Sequence, residues 1–253
     1  MRGISFSLTR LILLEALRAR TIVLVLFILV VAALIAWFLG QIAITETNEI
    51  QIVSAASFLR LASVFVIITY IVFSHSREAN DRGTDLLISL PISRSTYYIS
   101  KILGYILLGW ILATTTSLFL YMIGASNHLW LWFFSFGCEL SIMVAVSLFF
   151  SITLSQQSLA ILFIMGFYLL ARSISIFQLL GEFAIEQTYQ TKIISNVLEV
   201  ISIALPRFDL FTQAGWLVSS SALYPVSAIM MQTLIYLFFI GGLSLLDLYR
   251  KCF

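Results

Sequence analysis

The sequence predicts an all-α membrane protein with six transmembrane helices, and three observations lead to this prediction. Hydrophobic residues make up 61% of the 253 residues, and charged residues make up only 10%, whereas a soluble domain is nearer to one-half apolar and one-quarter charged. The apolar residues form blocks of about 20, the length that a helix needs to cross a bilayer core of about 30 Å. These blocks do not alternate apolar and polar residues as the strands of an outer-membrane barrel do.

The six apolar blocks are the predicted transmembrane spans. They cover Thr21–Gly40, Ser57–Phe73, Ile102–Ile123, Leu129–Leu154, Leu159–Leu180 and Val226–Leu246. No A-x-A cleavage pattern follows the first block, so we expect it to remain as a helix rather than to be removed as a signal peptide. No internal repeat or low-complexity linker divides residues 1–253, which we expect to form one membrane domain.

The basic residues predict the orientation of the chain. With six spans, both termini lie on the same side of the membrane. One side receives most of the 14 Lys and Arg residues: Arg2, Arg10, Arg18, Arg20, Arg77, Arg82, Arg94, Lys101, Arg250 and Lys251. Cytoplasmic loops carry the excess of basic residues, so we expect this side, and both termini, to be cytoplasmic.

Two segments outside the predicted spans, residues 1–20 and 181–225, also carry helical patterns. In residues 1–20, apolar side chains share one face, which predicts an amphipathic helix at the bilayer interface. The outer loop 181–225 is too long to be structureless, and we expect short helices there. Its helical spacing is carried by Ile194, Leu198, Ile201 and Leu205, and ends at Pro206. These residues are candidates for an outer gate, a dock for a periplasmic partner, or a plain interfacial helix.

The sequence lacks the patterns of several enzyme classes. No glycine precedes a lysine, so the G-x-x-x-x-G-K-[ST] phosphate loop is absent. No G-x-S-x-G elbow is present, and His75 and His128 fall on opposite sides of the predicted membrane, where they cannot share a metal. The net charge of +2 does not indicate a nucleic-acid surface. We expect no catalytic site, metal or cofactor in this chain.

The predicted cytoplasmic loop 74–101 is the most informative stretch. Gly83 permits a turn, and Thr84 can cap a short helix whose apolar face includes Leu87. Pro91 stops that helix, and Ser93 can cap the next one. The pattern predicts a short helix that lies along the membrane and offers a docking surface to a soluble partner.

The same stretch resembles the ABC-2 family of transporter permeases. The resemblance is carried by E-x-x-x-R-G-T-x-L-L-x-x-L-P-I-S-R from Glu78 to Arg94, followed by K-x-x-G from Lys101. The segment Leu14–Arg20 and the segment Leu205–Asp209 add weaker similarity. Within the family, the chain is most similar to six-span permeases such as that of nitrous-oxide-reductase maturation.

The resemblance implies a bacterial inner-membrane permease that exports or extrudes a substrate. Two permease chains, expected to be a homodimer in the lipid bilayer, would work with two copies of a separate ATPase subunit that binds ATP and Mg. A periplasmic partner is a further possibility. The implied coupling helix, which receives the ATPase, contains Glu78, Arg82, Gly83, Thr84, Leu87, Pro91 and Arg94.

Four alternatives to this interpretation stay open. The loop can be a solvated connector with no coupling role. The chain can be a membrane anchor that transmits ATPase work to a periplasmic complex without transport. It can be a haem-handling permease of cytochrome maturation, although its long outer loop argues against this. A stand-alone secondary transporter would need carboxylates or broken helices at the midplane, and only Glu139 is offered.

Three charged residues fall inside the predicted spans: Arg60, Glu139 and Arg172. A charge within the hydrocarbon costs at least about 2.5–3.5 kcal/mol on insertion scales, so each should face protein or water. We expect Glu139 to pair with Arg172 or Arg60, as a structural tie or along a translocation path, unless Arg60 extends to the interface. The nearby aromatic group, Trp130, Trp132, Phe133 and Phe134, is typical of an interfacial belt.

Overall fold

The computed structural model describes most of the chain and is helical throughout its regular structure. The described residues are 6–18, 21–42, 47–80, 93–125, 128–154, 156–182, 205–212, 214–217 and 226–250. Within them the α-helices are α1 (Phe6–Arg18), α2 (Thr21–Ile42), α3 (Thr47–Asn80), α4 (Arg94–Ile123), α5 (Leu129–Thr153), α6 (Gln157–Glu182), α7 (Phe208–Phe211) and α8 (Val226–Arg250). A 3₁₀-helix covers Ala214–Leu217.

Six of these helices are long and apolar enough to cross a membrane, which confirms the predicted all-α, multi-span class. They are α2, α3, α4, α5, α6 and α8. Large apolar side chains on their outer faces are exposed, for example Phe27 and Trp37 of α2 at 64% and Phe238 of α8 at 86%. Such faces suit a hydrocarbon solvent and not water.

Helix α3 is much longer than the sequence predicted. The predicted span was Ser57–Phe73, whereas the helix covers 34 residues, Thr47–Asn80. Its first three turns carry polar residues, but Ile52, Ala55 and Leu59 recur at helical spacing and are buried. Helix α3 packs against α2, and tertiary packing of one buried face is enough to extend a helix beyond its apolar span.

The link between α3 and α4 is correspondingly shorter than predicted. Most of the segment expected as a loop, Ser74–Lys101, belongs to the two helices, and only residues 81–93 join them. The predicted cap is confirmed, because the backbone N–H of Thr96 donates to Ser93 Oγ at 3.2 Å. We call the end of the bundle at which α3 ends and α4 begins the basic end.

Helix α5 is the centre of the bundle. It contacts α3, α4, α6 and α8, and every residue from Ser135 to Leu148 is buried. Small side chains let neighbouring helices approach closely in membrane proteins. Those of α5 are Ser135, Gly137, Cys138, Ser141, Ala145 and Ser147. The small residues therefore explain why this helix, and not an equally apolar one, lies in the middle.

The N-terminal helix α1 packs on α4. Thr9 Oγ1 donates to the carbonyl of Ser100 at 3.2 Å, and Ile12 is buried against Gly104. A Cβ at Gly104 would lie 2.8 Å from Ile12 Cδ1, so this close approach requires glycine. The predicted N-terminal helix thus has one face fixed to the first turns of α4.

The contact between Gly137 and Trp110 gives a test of the central packing. A Cβ at Gly137 would lie 2.8 Å from two ring atoms of Trp110, and Phe133 and Phe134 hold this ring by edge contacts. We expect Gly137→Ala to lower the free energy of unfolding by about 1–3 kcal/mol, as overpacking does. Thermal unfolding in detergent micelles measures the change.

Gly166→Ala is the matched control. A Cβ at Gly166, also inside a spanning helix, meets no atom within 4 Å. Because alanine is the better helix former, its melting temperature should equal or exceed that of the wild type. Equal melting temperatures for the two variants would contradict the packing described for α5.

Candidate functional site

Arg60 of α3 and Glu139 of α5 form an ion pair inside the bundle. Arg60 Nη1 lies 2.9 Å from Glu139 Oε2, and the two side chains are only 1% and 0% exposed. The sequence analysis offered two partners for Glu139, and the structure pairs it directly with Arg60. Both charges are therefore balanced away from water and lipid.

The remaining donors of Arg60 meet acceptors near one end of α5. Nη1 also donates to the carbonyl of Phe211. Nη2 donates to the carbonyl of Trp132 at 3.3 Å and to Ser135 Oγ at 3.0 Å, and Ser135 Oγ donates in turn to the Phe211 carbonyl. The guanidinium carbon lies 4.8 Å from the ring centroid of Trp132, a cation–π contact. Nε is the one donor that lacks an acceptor among the described residues.

Helix α6 joins the network through Tyr168. Tyr168 Oη donates to Glu139 Oε1 at 2.9 Å, and Arg172 Nη1 donates to Tyr168 Oη at 2.8 Å. Tyr168 and Arg172 are four residues apart, which places them on the same helix face. Arg172 thus reaches Glu139 only through the tyrosine.

The network joins α3, α5, α6 and α7 at a single point. A buried ion pair is stabilising only when further hydrogen bonds satisfy both ions, and here three carbonyl or hydroxyl acceptors and one phenol do so. Glu139 is 0% exposed, whereas Arg172 lines an open cleft. The contacts favour a structural tie for Glu139 over a position along a path.

Trp132 corrects the predicted interfacial belt. Trp130, two residues earlier, is 60% exposed, as a belt residue should be. Trp132 is 0% exposed and packs against Arg60 and Phe136, so the interfacial interpretation of Trp132 is wrong. Residues two positions apart point to nearly opposite faces of a helix. Trp130 therefore faces outward, and Trp132 faces inward and contacts Arg60.

A second polar cluster lies at the basic end, around Glu78 of α3. Glu78 Oε2 pairs with Lys101 Nζ of α4, and Tyr97 Oη donates to Glu78 Oε1 at 2.6 Å. Lys101 Nζ also lies 2.9 Å from Tyr97 Oη and 3.0 Å from His75 Nδ1. Lys101 is 5% exposed, so its charge depends on this carboxylate. We call Glu78, Lys101, Tyr97 and His75 the Glu78 cluster.

A chain of hydrogen bonds beside the Glu78 cluster reaches α1. Tyr105 Oη donates to Ser74 Oγ at 3.1 Å, and Ser74 Oγ donates to Glu15 Oε1 at 3.4 Å. Arg94, the first residue of α4, donates to the carbonyl of Leu248 in α8 at 3.5 Å. The two ends of the 81–93 link are therefore fixed to α1, α4 and α8.

The predicted coupling residues fall into two groups. Glu78 and Arg94 lie in the helices that flank the link, where both bind other helices of the bundle. Outside the described residues lie Arg82, Gly83, Thr84, Leu87 and Pro91. The structure thus gives positions to the two ends of the predicted coupling segment.

The predicted outer residues are also divided. Ile194, Leu198 and Ile201 lie outside the described residues, whereas Leu205 is half-buried and Pro206 is buried. Pro206 lies two residues before the start of α7, whose Phe208 and Phe211 side chains are fully buried. This part of the predicted outer segment packs into the bundle, and its Phe211 carbonyl accepts a hydrogen bond from Arg60.

Two residues of the Arg60 network were not among the residues that the sequence predicted. Tyr168 lies one helical turn from Arg172, and this spacing could have identified it. Phe211 contributes a main-chain carbonyl, which no side-chain pattern reveals. No group of three or more His, Cys, Asp or Glu residues in the described ranges is placed to hold a metal ion.

Removal of Arg60 tests the structural tie. Arg60→Met leaves Glu139 charged and buried, and removal of one partner of a buried pair costs about 3–5 kcal/mol. The double variant Arg60→Met/Glu139→Gln leaves no buried charge and should regain part of this loss. Thermal unfolding of the purified protein in detergent compares the wild type, Arg60→Met, Glu139→Gln and the double variant.

Arg77→Met is the control for the change of residue type, because Arg77 is exposed in the last turn of α3. Its effect should stay within about 0.5 kcal/mol. A double variant that is as unstable as the sum of its two single variants would show that the charges do not act as a pair.

No protein-family model matches this chain, and no curated protein gives a significant match. A family is therefore not assigned from these comparisons. The chain is a multi-span membrane protein, and any finer function depends on its residues and their contacts.

Proposed function

We propose that this chain is the transmembrane permease subunit of an ATP-binding-cassette transporter. It exports or extrudes a substrate with ATP that a separate subunit hydrolyses, and it works as a pair of identical chains in a bacterial inner membrane. The resemblance of Glu78–Arg94 to ABC-2 permeases supports this proposal. The basic end faces the cytoplasm, in agreement with the distribution of Lys and Arg.

The observation that carries the proposal is the Glu78 cluster. It links α3 to α4 on the two sides of the 81–93 link, and Lys101 and Tyr97 bind the same carboxylate. A rigid connection is needed wherever a soluble partner moves membrane helices, since a loose loop would absorb the displacement. In this proposal, Glu78 fixes the end of α3 to α4 beside the coupling segment, and Arg82 and its neighbours contact the ATPase.

Helix α3 provides the connection from the basic end to the Arg60 network. Glu78 and Arg60 are 18 positions apart in one unbroken helix, a distance of about 27 Å at about 1.5 Å per residue. Arg60 then joins α3 to α5, and Tyr168 joins α6. A push on the 81–93 link would therefore reach the outer half of the bundle through side chains that are already in contact.

The contacts of Glu139 weaken the secondary-transporter alternative. An ion-coupled carrier needs a carboxylate that can gain and lose an ion at the midplane. The Glu139 carboxylate is 0% exposed and paired with Arg60, and the six spanning helices are continuous over their described residues. The membrane-anchor alternative differs from the proposal only in whether a substrate crosses.

Native co-purification tests the proposal. The tagged chain is isolated from its own cells in mild detergent, its partners are identified, and ATPase activity is measured. We expect an ATP-binding subunit to co-purify with the wild type and to be lost with Arg82→Ala. Lys101→Met, which breaks the Glu78 cluster, should keep the partner but lower ATP turnover about tenfold, within the usual range of coupling energies.

Arg77→Ala is the control, because this exposed arginine lies one turn before the link. Its complex should behave as the wild type does. If no ATP-binding subunit co-purifies with any form of the chain, the permease proposal is wrong. An active complex that moves no solute in reconstituted vesicles would instead favour the anchor.

A further inference from the structure

The ammonium group of Lys101 has three N–H donors, and the Glu78 cluster supplies an acceptor for each of them. The Nζ atom contacts Glu78 Oε2 and lies 2.9 Å from Tyr97 Oη and 3.0 Å from His75 Nδ1. Tyr97 Oη donates its own hydrogen to Glu78 Oε1 at 2.6 Å, so it faces Lys101 with a lone pair. Since Lys101 is only 5% exposed, these three acceptors take the place of water.

This arrangement fixes the protonation state of His75. A ring nitrogen that accepts a hydrogen bond from an ammonium group carries no proton, so the hydrogen of the neutral ring is on Nε2. A proton on Nδ1 would place two donors and two positive charges 3.0 Å apart. The protonated ring must therefore leave Lys101, which then loses one of its three acceptors.

The other titratable groups around His75 do not remove this requirement. Groups on α1, α3 and α4 lie at the same end of the bundle: Glu15, Tyr70, Arg77 and Tyr105. The described residues of α2, the first three turns of α6 and the part of α5 beyond Glu139 carry no titratable side chain apart from the thiol-free apolar and hydroxyl residues. Glu15 attracts a protonated ring and gives it a direction in which to turn, but it does not restore the acceptor that Lys101 loses.

We propose that His75 is a pH switch in the contact between α3 and α4. At about pH 7.5 and above, the neutral ring completes the hydrogen bonds of Lys101. Protonation in the ordinary range of histidine, near pH 6.5, turns the ring away and loosens the Glu78 cluster. Carboxylates ordinarily titrate near pH 4, and lysine and tyrosine near pH 10, so histidine is the group that responds between pH 5.5 and pH 7.5.

The switch goes beyond the proposed function and would regulate it. In a permease driven by a soluble ATPase, an acidified cytoplasm would weaken the connection between the 81–93 link and the bundle. The switch itself depends only on the contact between His75 and Lys101, so its tests need no ATPase. Its failure would leave the permease proposal standing, and the absence of an ATPase would leave the switch standing.

Nitrogen NMR of the imidazole rings tests the protonation state directly. The chain contains two histidines, His75 and His128, so a protein labelled with ¹⁵N-histidine gives two sets of ring signals, which His128→Asn assigns. In detergent micelles at pH 8, we expect His75 to have a bare Nδ1 and a protonated Nε2. At pH 5.5 both nitrogens should carry protons. A proton on Nδ1 of His75 at pH 8 would overturn the proposal.

Thermal unfolding between pH 7.5 and pH 5.5 tests the effect on the fold. The intact cluster excludes the proton that an unfolded chain binds freely, so the unfolded state binds more protons in this window and stability falls as the pH falls. We expect the melting temperature of the wild type to fall by about 3–6 °C, as for the loss of one hydrogen bond to a charged group. His75→Gln should remove most of this fall, because its amide oxygen can accept from Lys101 and does not titrate.

Two further variants separate the switch from other effects of pH. Lys101→Met removes the positive charge that opposes the proton, so its melting temperature should depend less on pH than that of the wild type. It serves if His75→Gln fails to fold. His128→Asn is the matched control, because it removes the histidine at the opposite end of the bundle, where φ is 41° and asparagine is tolerated.

The control should keep the pH dependence of the wild type. A fall in melting temperature that is as large in His75→Gln as in the wild type would contradict the switch. So would a fall that His128→Asn removes.

Discussion

The buried pair of Arg60 and Glu139 is the constraint on which the packing of the bundle depends. Two ions removed from water lose several kcal/mol each in hydration, and their attraction repays this only with good geometry and further hydrogen bonds. The required hydrogen-bond partners come from three separate places: acceptors in the first turns of α5, the carbonyl of Phe211 and, for Glu139, the phenol of Tyr168 as a donor. An arrangement of the helices that moved any one of them would leave a charge unsatisfied inside the membrane. The pair thus selects one packing among the many that apolar helices allow.

The length of α3 gives this pair its mechanical importance. The helix continues without interruption from Thr47 to Asn80, with one polar cluster in its first half and another in its last turns. Apolar faces slide against each other at little cost, whereas the Glu78 cluster and the Arg60 network hold α3 in fixed register with α4 and α5. A displacement applied at the basic end would consequently be transmitted along the helix axis. This is the physical property that a permease driven by a soluble ATPase requires.

The sequence by itself determined the class of the protein, the number of spans and the cap at Ser93. Span number follows from composition, since the bilayer demands about 20 apolar residues for each crossing, and a cap depends only on neighbours in the chain. It also indicated that Arg60, Glu139 and Arg172 need partners, because an unpaired charge in hydrocarbon is costly. Only the tertiary structure decided which partners they have. The acceptors of Arg60 lie 72, 75, 79 and 151 positions away, and two of them are main-chain carbonyls, which every residue possesses. Likewise, the extension of α3 beyond its apolar block depends on a buried face, which exists only when neighbouring helices are packed against it.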